Sequence, residues 1–394
     1  MHATKLTFLS LDLSSAENLF DKGHFFSVTF FSLNQIAKHI YFHQLILHRM
    51  KISFAKYFLE LKHQFTISFS SRKFTPVVLV RLEQNGLFGY GEASLPPYLS
   101  EDQESVISFI SKAKLNDMSS YDDLVFNLES LDQIKYDNTA AKASIDIALH
   151  DLLGKIQNKS CCEFYNLNPV QLPLTSFTIG IDSEEMIKQK IREAQESKIL
   201  KVKIGTENDK EIINIIRHET DKPLYVDANQ GWNKKEHAIE MIEWLNEKNV
   251  LLVEQPMPKI NLRDHKWLKE RSPIPIIADE AFRRLSDLDD VSESYSGINI
   301  KLMKCTGIRE ADKIITKAKE KGLKIMLGCM TETSCAISAA IQFSSLVDFA
   351  DLDGNQLITN DPFKTKTVED GRLVLQLRPG IGVDLINNID FVQL

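Results

Sequence analysis

The sequence predicts an α/β protein built around a parallel barrel of the (β/α)8 type, preceded by a smaller α+β module. After Pro173, eight short apolar runs recur about 22–28 residues apart, and each is followed by a segment with helical spacing. Alternating strands and helices favour parallel strands joined by crossover helices, and eight such units favour a closed barrel. An open doubly wound sheet is the alternative, but no Gly-x-Gly-x-x-Gly turn follows the first run.

Composition limits the classes of partner. The chain has 394 residues and a net charge of −7, so it shows neither the basic face of a nucleic-acid-binding protein nor a polybasic membrane patch. It contains no run of 18 apolar residues, so we expect no helix that spans a membrane. Its five cysteines include no zinc-spaced pair, and we interpret them as reduced thiols of a cytosolic protein. A small molecule or a second copy of the chain is therefore the expected partner.

The first part of the chain divides into an extension and a module. Residues 1–49 hold half of the ten histidines, and we expect them to lie outside the fold, because Met50 opens a run typical of a first strand. A signal peptide is the alternative, but polar residues interrupt the apolar stretch. From there to about residue 157, two strand-like runs flank an Asn-Gly turn and a helical region follows. We expect Gly154 to cap that region.

Two lysines lie in the second apolar run of the barrel region, Leu200-Lys-Val-Lys-Ile-Gly. Alternate residues of a strand share a face, so Lys201 and Lys203 point the same way and the apolar residues point the other way. In a barrel strand the apolar set faces the helices, which leaves both ammonium groups inside, near the mouth. Their mutual repulsion should lower a lysine pKa, as a general base requires. Solvation on an edge strand is the alternative.

Three acids occupy equivalent ends of the next three runs: Asp227, Glu254 and Asp279. Any one of them could be only a turn former or a helix cap. Three acids at the carboxyl ends of successive parallel strands would instead converge and repel unless a cation joins them. Oxygen ligands alone suit a hard ion, so the sequence predicts a Mg²⁺ site.

The sixth run, Ile-Asn-Ile-Lys-Leu-Met-Lys, brings a further lysine, Lys301, to a similar depth, whereas we expect Lys304 to be solvated. The second and sixth strands of an eight-stranded ring are nearly opposite. A substrate carboxylate held on the metal would then have Lys203 on one face of its α-carbon and Lys301 on the other. That arrangement permits proton removal from one side and delivery from the other.

In order and spacing, these residues resemble the active site of the enolase superfamily, in its muconate-lactonising subgroup. The resemblance covers roughly residues 50–394 and includes sites that use lysine bases with Mg²⁺. It implies a capping α+β domain over residues 50–172 and a modified barrel over residues 173–355. Residues 356–394 would return to the capping domain.

The resemblance also implies roles for individual residues. Lys203 and Lys301 would be the paired acid and base, and Lys201 would tune Lys203 by repulsion and contact the enediolate. The three acids named above would be the Mg²⁺ ligands. The turn after Lys301 departs from the subgroup, because Thr306-Gly307 stands where Gly-Gly is usual. We expect only a local backbone adjustment there.

Within the subgroup, the stretches GCMTETSCAISAA and FADLDG are most similar to dipeptide epimerases of the L-Ala-D/L-Glu type. This similarity implies that Asp351 and Asp353 bind the α-ammonium group of the dipeptide. A cation between two neighbouring carboxylates lowers the free-energy cost of their mutual repulsion. Arg72 of the capping domain would hold the glutamate side chain, and Thr178 would line the pocket. Phe69 stands where some relatives have an arginine, which argues against a strict preference for glutamate.

The function that the resemblance implies is Mg²⁺-dependent epimerisation of dipeptides through an enediolate. For the L-substrate, Lys203 would remove the α-proton and Lys301 would return one, and the roles would exchange in the reverse direction. The dipeptide would be the partner, in cytoplasmic murein peptide metabolism, and the resemblance leaves room for a homo-oligomer.

Three alternatives stay open at this point. An o-succinylbenzoate synthase or cycloisomerase of the same subgroup would have no use for Asp351 and Asp353, because its substrate lacks an ammonium group. A Schiff-base aldolase on the same barrel would use Lys203 as its nucleophile without metal. A binding protein without catalytic activity would keep the pocket only.

Overall fold

A computed structural model describes residues 49–394 apart from Phe69, Asn168 and Val170. The prediction that residues 1–49 stand outside the fold therefore concerns residues that, except for Arg49, lie outside the described part of the chain, and so does the expectation based on Phe69. Among the described residues, no helix is both long enough and apolar enough to cross a bilayer.

The N-terminal module contains an antiparallel sheet of four strands. Its second and third strands form the predicted hairpin, and the turn residues Asn85 and Gly86 both have positive φ, of 53° and 79°. Both central residues of a type I′ turn need such values. The last strand of the chain pairs with the first, so both ends of the described chain meet in this sheet. In sheet order the strands are β16 (Val392–Gln393), β1 (Lys51–Ile67), β2 (Ser70–Gln84) and β3 (Leu87–Ser94).

The helices of this module pack on one face of its sheet. Two glycines of β3 permit the closest approach: a Cβ on Gly91 would lie 1.9 Å from the carbonyl oxygen of Ser144. The expectation that Gly154 caps the helix is wrong. The helix continues to Gln157, and a Cβ on Gly154 would lie 2.4 Å from Gly380 N, so close packing explains this glycine. The helices are α1 (Gln103–Ile110), α2 (Tyr121–Asp132), α3 (Thr139–Gln157) and α4 (Cys161–Phe164).

Eight parallel strands form the barrel and correspond to the eight predicted runs, which confirms the fold class. Each strand pairs with its sequence neighbours, and a single parallel bridge between Thr175 and Ala350 brings the first and last strands together. The strands are β4 (Ser176–Ile179), β5 (Ile199–Lys203), β6 (Leu224–Asp227), β7 (Val250–Glu254), β8 (Ile276–Ala278), β9 (Gly297–Ile300), β10 (Lys324–Gly328) and β11 (Phe349–Asp351).

Helices connect these strands on the outside of the barrel. They are α5 (Glu184–Glu193), α6 (Asp209–Glu219), α7 (Lys235–Asn246), α8 (Leu262–Lys269), α9 (Leu288–Ser294), α10 (Ile308–Glu320) and α11 (Ser334–Ile341). Short 3₁₀ turns cover Leu285–Asp287, Ser344–Leu346 and Gly354–Gln356. After the barrel come the two-residue strands β12 (Phe363–Lys364), β13 (Val368–Glu369), β14 (Arg372–Leu373) and β15 (Asp384–Leu385).

Two layers of different chemistry fill the barrel interior. Inward residues near the amino ends of the strands form a separate apolar cluster: Ile199, Tyr225, Leu252, Ile277 and Met326. Two residues further along several of these strands, on the same inward face, the side chains are charged. The apolar layer closes the barrel from below, and the charged layer faces the mouth.

The backbone in the turn after β9 keeps a conformation that glycine favours. Thr306 has φ of 65°, in the left-handed region that β-branched residues rarely adopt. Its hydroxyl donates to Glu310 Oε2 at 2.9 Å, which partly offsets the strain. Gly307, at φ of 112°, leaves no room for a Cβ beside Asp146.

A helix cap joins the two modules. Asp146 of α3 is buried, and its carboxylate accepts hydrogen bonds from Ile308 N at 2.7 Å and Arg309 N at 3.3 Å. These amides open α10 of the barrel and have no partner within that helix. The carboxylate also suits the positive end of the helix dipole.

We predict that Asp146→Ala lowers the free energy of unfolding by about 2 kcal/mol or more, because it leaves buried amides without acceptors. Denaturant unfolding of the purified variant measures this loss. Asp146→Asn keeps one acceptor oxygen and should lose less, and Ala at the exposed Asp221 should change little. Equal stability of the Ala variant and the wild type would contradict the proposed role of this cap.

Candidate active site

A cavity of about 520 Å³ opens at the carboxyl ends of the barrel strands, beneath the N-terminal module. Two of the ten predicted site residues, Asp227 and Glu254, lie below its surface and are fully buried. The other eight line the cavity: Arg72, Thr178, Lys201, Lys203, Asp279, Lys301, Asp351 and Asp353.

The three predicted metal ligands converge. One carboxylate oxygen from each of Asp227, Glu254 and Asp279 lies within 4.8 Å of the others, and all three residues are buried. Glu254 Oε2 forms an ion pair with Lys201 Nζ, 2.6 Å away. Three clustered, buried carboxylates offer oxygen ligands alone, which fit a hard divalent ion such as Mg²⁺.

Two lysines face this cavity from opposite walls. Lys203 ends β5 and donates to Asp227 Oδ2 at 2.5 Å, whereas Lys301 follows β9 and donates to Asp279 Oδ2 at 2.8 Å. Three strands separate β5 from β9 in one direction around the barrel, and three in the other. The acid cluster lies on the strands between them, so a ligand above that cluster has one amine on each side.

Lys201 is fully surrounded by carboxylates. Its Nζ lies 2.6 Å from Glu254 Oε2, 2.8 Å from Asp351 Oδ2 and 3.3 Å from Asp227 Oδ2. Repulsion between the two lysines, from which a lowered lysine pKa was predicted, therefore does not set the pKa of Lys201. Burial alone would lower the Lys201 pKa, but the three carboxylates raise it well above its usual value.

The expectation that Lys304 is solvated is also wrong. Its side chain is buried, and Nζ donates to Asp279 Oδ1 at 2.5 Å, to the Asp279 carbonyl at 2.7 Å and to the Asn299 carbonyl at 3.0 Å. Lys301 and Lys304 together occupy both oxygens of Asp279. Burial raises the pKa of that carboxyl, but the two lysines outweigh it and hold the pKa well below its usual range.

Two further residues, one bonded to an acid of the cluster and one next to another, were not predicted as site residues. Asn299 is fully buried and donates from Nδ2 to Glu254 Oε1 at 2.8 Å. Glu280, next to Asp279, lines the cavity, and burial together with that neighbouring charge raises its pKa to about 8. For Lys304, whose burial was not predicted, the available signal in the sequence was its position three residues after Lys301, which can bring both side chains to one side of a turn.

The two aspartates after β11 have different partners. Asp351 is engaged on both oxygens, by Ser176 Oγ at 2.7 Å and by Lys201 Nζ at 2.8 Å. Asp353 accepts from Thr178 N at 2.6 Å and faces the cavity. Burial, with the charge of Asp351 second, raises the pKa of Asp353 to about 7. A cation in the cavity would therefore favour the ionised form of Asp353 most directly.

Arg72 reaches the cavity from β2. Its guanidinium donates to Thr75 Oγ1 and Thr331 Oγ1, both at 3.1 Å, and stacks over the Phe65 ring, 4.9 Å from the ring centre. Nη1 is buried and has no hydrogen-bond acceptor among the described residues. An anionic ligand group could supply that acceptor.

A buried carboxylate of β3 fixes the loop between β10 and α11. Glu92 accepts hydrogen bonds from the amide and the hydroxyl of Thr333, the N-cap of α11. Ser94 donates to the Thr331 carbonyl at 2.6 Å. Burial raises the pKa of Glu92 to about 8, and the nearby Glu332 adds to this shift.

Comparison with known proteins places both modules in one family. Residues 55–164 match the family described as "Mandelate racemase / muconate lactonizing enzyme, N-terminal domain", and residues 185–389 match "Enolase C-terminal domain-like". The chain is 51% identical over 336 residues to an L-Ala-D/L-Glu epimerase of Bacteroides thetaiotaomicron. This alignment covers 85% of this chain and 88% of the relative.

Two other similarities add to this picture. An L-Ala-D/L-amino acid epimerase of Pedosphaera parvula is 38% identical over 338 residues, or 84% of this chain and 97% of the relative. A crystal structure of a dipeptide epimerase from Cytophaga hutchinsonii, complexed with Mg and the dipeptide D-Ala-L-Val, superposes with a TM-score of 0.81 at 25% identity. It covers 88% of this chain and 100% of that one.

We predict that Glu92 makes stability fall as pH rises. An ordinary glutamate loses its proton near 4.5, whereas folded Glu92 keeps its proton up to about pH 8. Between these values the folded state binds the extra proton, so its stability declines by at most about 1.4 kcal/mol per pH unit. Glu92→Gln should remove the part of this pH-dependent decline in stability that Glu92 causes. Urea unfolding at pH 5, 6.5 and 8 measures the free energy of unfolding of both proteins.

The variant should gain stability relative to the wild type as pH rises from 5 to 8. Glu104→Gln serves as the control, because Glu104 is exposed and should leave the pH dependence unchanged. Parallel curves for Glu92→Gln and the wild type would show that Glu92 titrates alike in the folded and unfolded states.

Proposed function

This chain belongs to the enolase superfamily, in the group of mandelate racemase and muconate lactonizing enzyme, and on that premise we propose that it epimerises dipeptides of the L-Ala-D/L-Glu type. The reaction inverts the α-carbon of the second residue. One observation is central: Lys203 and Lys301 face one cavity from opposite walls, with an acid cluster between them. The epimerases that resemble the chain support the substrate class.

The two lysines would carry out the proton transfers. With the L-isomer bound, neutral Lys203 takes the α-proton, and the electron pair of the C–H bond passes into the adjacent carboxylate. The Lys301 ammonium then donates a proton to the opposite face of the α-carbon, which inverts it. Lys203 is left as ammonium and Lys301 as the free amine, so the reverse reaction starts with Lys301 as base. Exchange of these protons with water resets both groups.

The acid cluster would serve the carboxylate of the substrate. Asp227, Glu254 and Asp279 would hold Mg²⁺, which when bound supplies positive charge that stabilises the negative charge developing on that carboxylate. Asn299 and Lys304 each hold one of these acids in place through hydrogen bonds. Lys201, bonded between Glu254 and Asp351, would add a fixed positive charge beside the same carboxylate.

The two ends of the dipeptide would meet opposite charges. Asp353, with Asp351 beside it, would bind the α-ammonium group near Thr178. Arg72, with a buried guanidinium nitrogen lacking an acceptor, would bind the acidic side chain of the second residue. A cycloisomerase substrate has no ammonium group for the two aspartates, so these acids favour a dipeptide. The setting in cytoplasmic murein peptide metabolism is part of this proposal and rests on the resemblance alone.

We predict that replacing either lysine abolishes exchange of the α-proton in one isomer of the dipeptide and leaves it in the other. In D₂O with Mg²⁺, Lys203→Ala should lose deuterium uptake at the α-carbon of L-Ala-L-Glu, and Lys301→Ala should lose it with L-Ala-D-Glu. The loss should be about 10²–10⁴-fold, which is the usual contribution of a general acid or base. Each variant should keep exchange with the other isomer while epimerisation disappears. Mass spectrometry or proton NMR of the dipeptide measures both.

Lys319→Ala is the matched control, because Lys319 is exposed on the outer helix α10 and should leave both exchanges unchanged. If both active-site variants lost exchange of the same isomer, the lysines would act from one side and the epimerase proposal would fail. Exchange that persists in EDTA would argue against the proposed ion.

We also predict that Arg72 sets the preference for an acidic second residue. Arg72→Met keeps much of the volume but loses the charge, so kcat/KM for L-Ala-L-Glu should fall about 10–100-fold. The value for L-Ala-L-Met should change far less. Arg81→Met is the control, because Arg81 lies on the same strand but stacks on Phe391, with its guanidinium carbon 4.5 Å from the ring centre. An equal fall for both dipeptides would refute this specificity role.

A further inference from the structure

A second, smaller cavity adjoins the main one. It has a volume of about 190 Å³ and lies between β1 and the start of the barrel. The two cavities share three lining residues, Phe65, Thr178 and Leu357, which therefore form a common wall. We call the smaller cavity the side chamber.

Apolar and polar residues both line the side chamber. Five of its twelve lining residues are apolar: Leu61, Phe177 and Gly180, with Phe65 and Leu357 of the wall. The polar residues include His63 and Glu193, whose Nε2 and Oε2 atoms are 2.8 Å apart. The apolar residues, two of which belong to the wall itself, offer contact surface for a hydrocarbon side chain.

Leu357 is held in the wall by its backbone. A 3₁₀ turn, Gly354–Gln356, follows Asp353 and leads directly into Leu357. The Leu357 carbonyl accepts from Lys62 N of β1 at 2.9 Å. The turn itself cannot shift easily, because even a Cβ on Gly354 would lie 2.5 Å from the Met330 carbonyl. The backbone that carries the Leu357 side chain is therefore held in place at the wall.

The wall lies next to the aspartate proposed to bind the ammonium group. Thr178 belongs to the wall, and its backbone amide donates to Asp353 Oδ2 at 2.6 Å. On the proposed function, Asp353 binds the α-ammonium group of the first residue. The side chain on that same carbon must then lie close to the wall.

We propose that Leu357 determines which first residues the enzyme accepts, because it closes the side chamber to the substrate. With Leu357 in place, the pocket takes dipeptides with a small first residue such as Ala. With Leu357 shortened, the side chamber becomes a subsite for an aliphatic first residue such as Leu. This inference rests on the proposed function and assigns the chamber to one end of the substrate.

The other end of the substrate gives the competing assignment. The Phe65 ring belongs to the wall and also stacks under the Arg72 guanidinium, at 4.9 Å. If the wall instead faced the second residue, removing Leu357 would widen the specificity at that position. An experiment that varies the two positions separately distinguishes these arrangements.

The test compares Leu357→Ala with the wild type on L-Ala-L-Glu, L-Leu-L-Glu and L-Ala-L-Leu. The ratio of kcat/KM for L-Leu-L-Glu to that for L-Ala-L-Glu should rise at least about tenfold, a usual effect of added room for a few methylene groups. The ratio for L-Ala-L-Leu should stay the same. Leu61→Ala is the matched control, since Leu61 lines only the side chamber and its loss leaves the wall intact.

A rise confined to Leu357→Ala and to the first position supports the inference. No rise, a rise at the second position, or an equal rise in Leu61→Ala overturns it. Leu357→Val, which removes less of the side chain, gives a smaller rise in the same ratio if the alanine variant does not fold, as thermal melting will show. A wild type that leaves all three dipeptides unchanged would refute the proposed function rather than this inference.

Discussion

One buried ammonium group connects the charged groups of the barrel mouth. Lys201 is 1% exposed and contacts carboxylates from β6, β7 and β11, at 3.3, 2.6 and 2.8 Å. Charges are buried at reasonable cost only when partners surround them, and removing one partner leaves the others uncompensated. The acid cluster and the pair Asp351 and Asp353 are therefore not independent sites. Any cation that enters one of them changes the field at the other through Lys201.

The barrel supplies the geometry for this network through strand alternation. Ile199, Lys201 and Lys203 share one face of β5, so the apolar layer and the charged layer of the barrel interior both follow from the alternation of side chains along the strand. This is why the sequence alone could predict the inward lysines and the acids at the strand ends. Each of those positions is set by its own strand, and parallel strands bring their carboxyl ends to one edge.

The features that sequence reasoning missed depend on contacts between distant residues. Lys304 follows the end of its strand, and only the fold shows that Asp279 accepts from it. The prediction of a lowered lysine pKa considered only the repulsion between Lys201 and Lys203, whereas the carboxylates that raise the Lys201 pKa come from strands up to 150 residues away. Gly154 looked like a helix end, and its partner Gly380 lies in the C-terminal tail. Local patterns thus predicted the fold and which side chains converge at the barrel mouth, whereas the surroundings of each group required the tertiary structure.

The carboxyl groups at the mouth repel one another. Six of them, from Asp227, Glu254, Asp279, Glu280, Asp351 and Asp353, lie close to four lysines, Lys201, Lys203, Lys301 and Lys304, and Arg72, Lys259 and Arg283 also line the cavity. Burial, with neighbouring carboxylates second, raises the pKa values of Glu280 and Asp353. A divalent ion among the acids and an ammonium group beside Asp353 would reduce this repulsion and favour the ionised forms of both carboxyls. The pocket is thus preorganised for a cation and a zwitterion together, and binding of either one should favour the other through the carboxylates that surround Lys201.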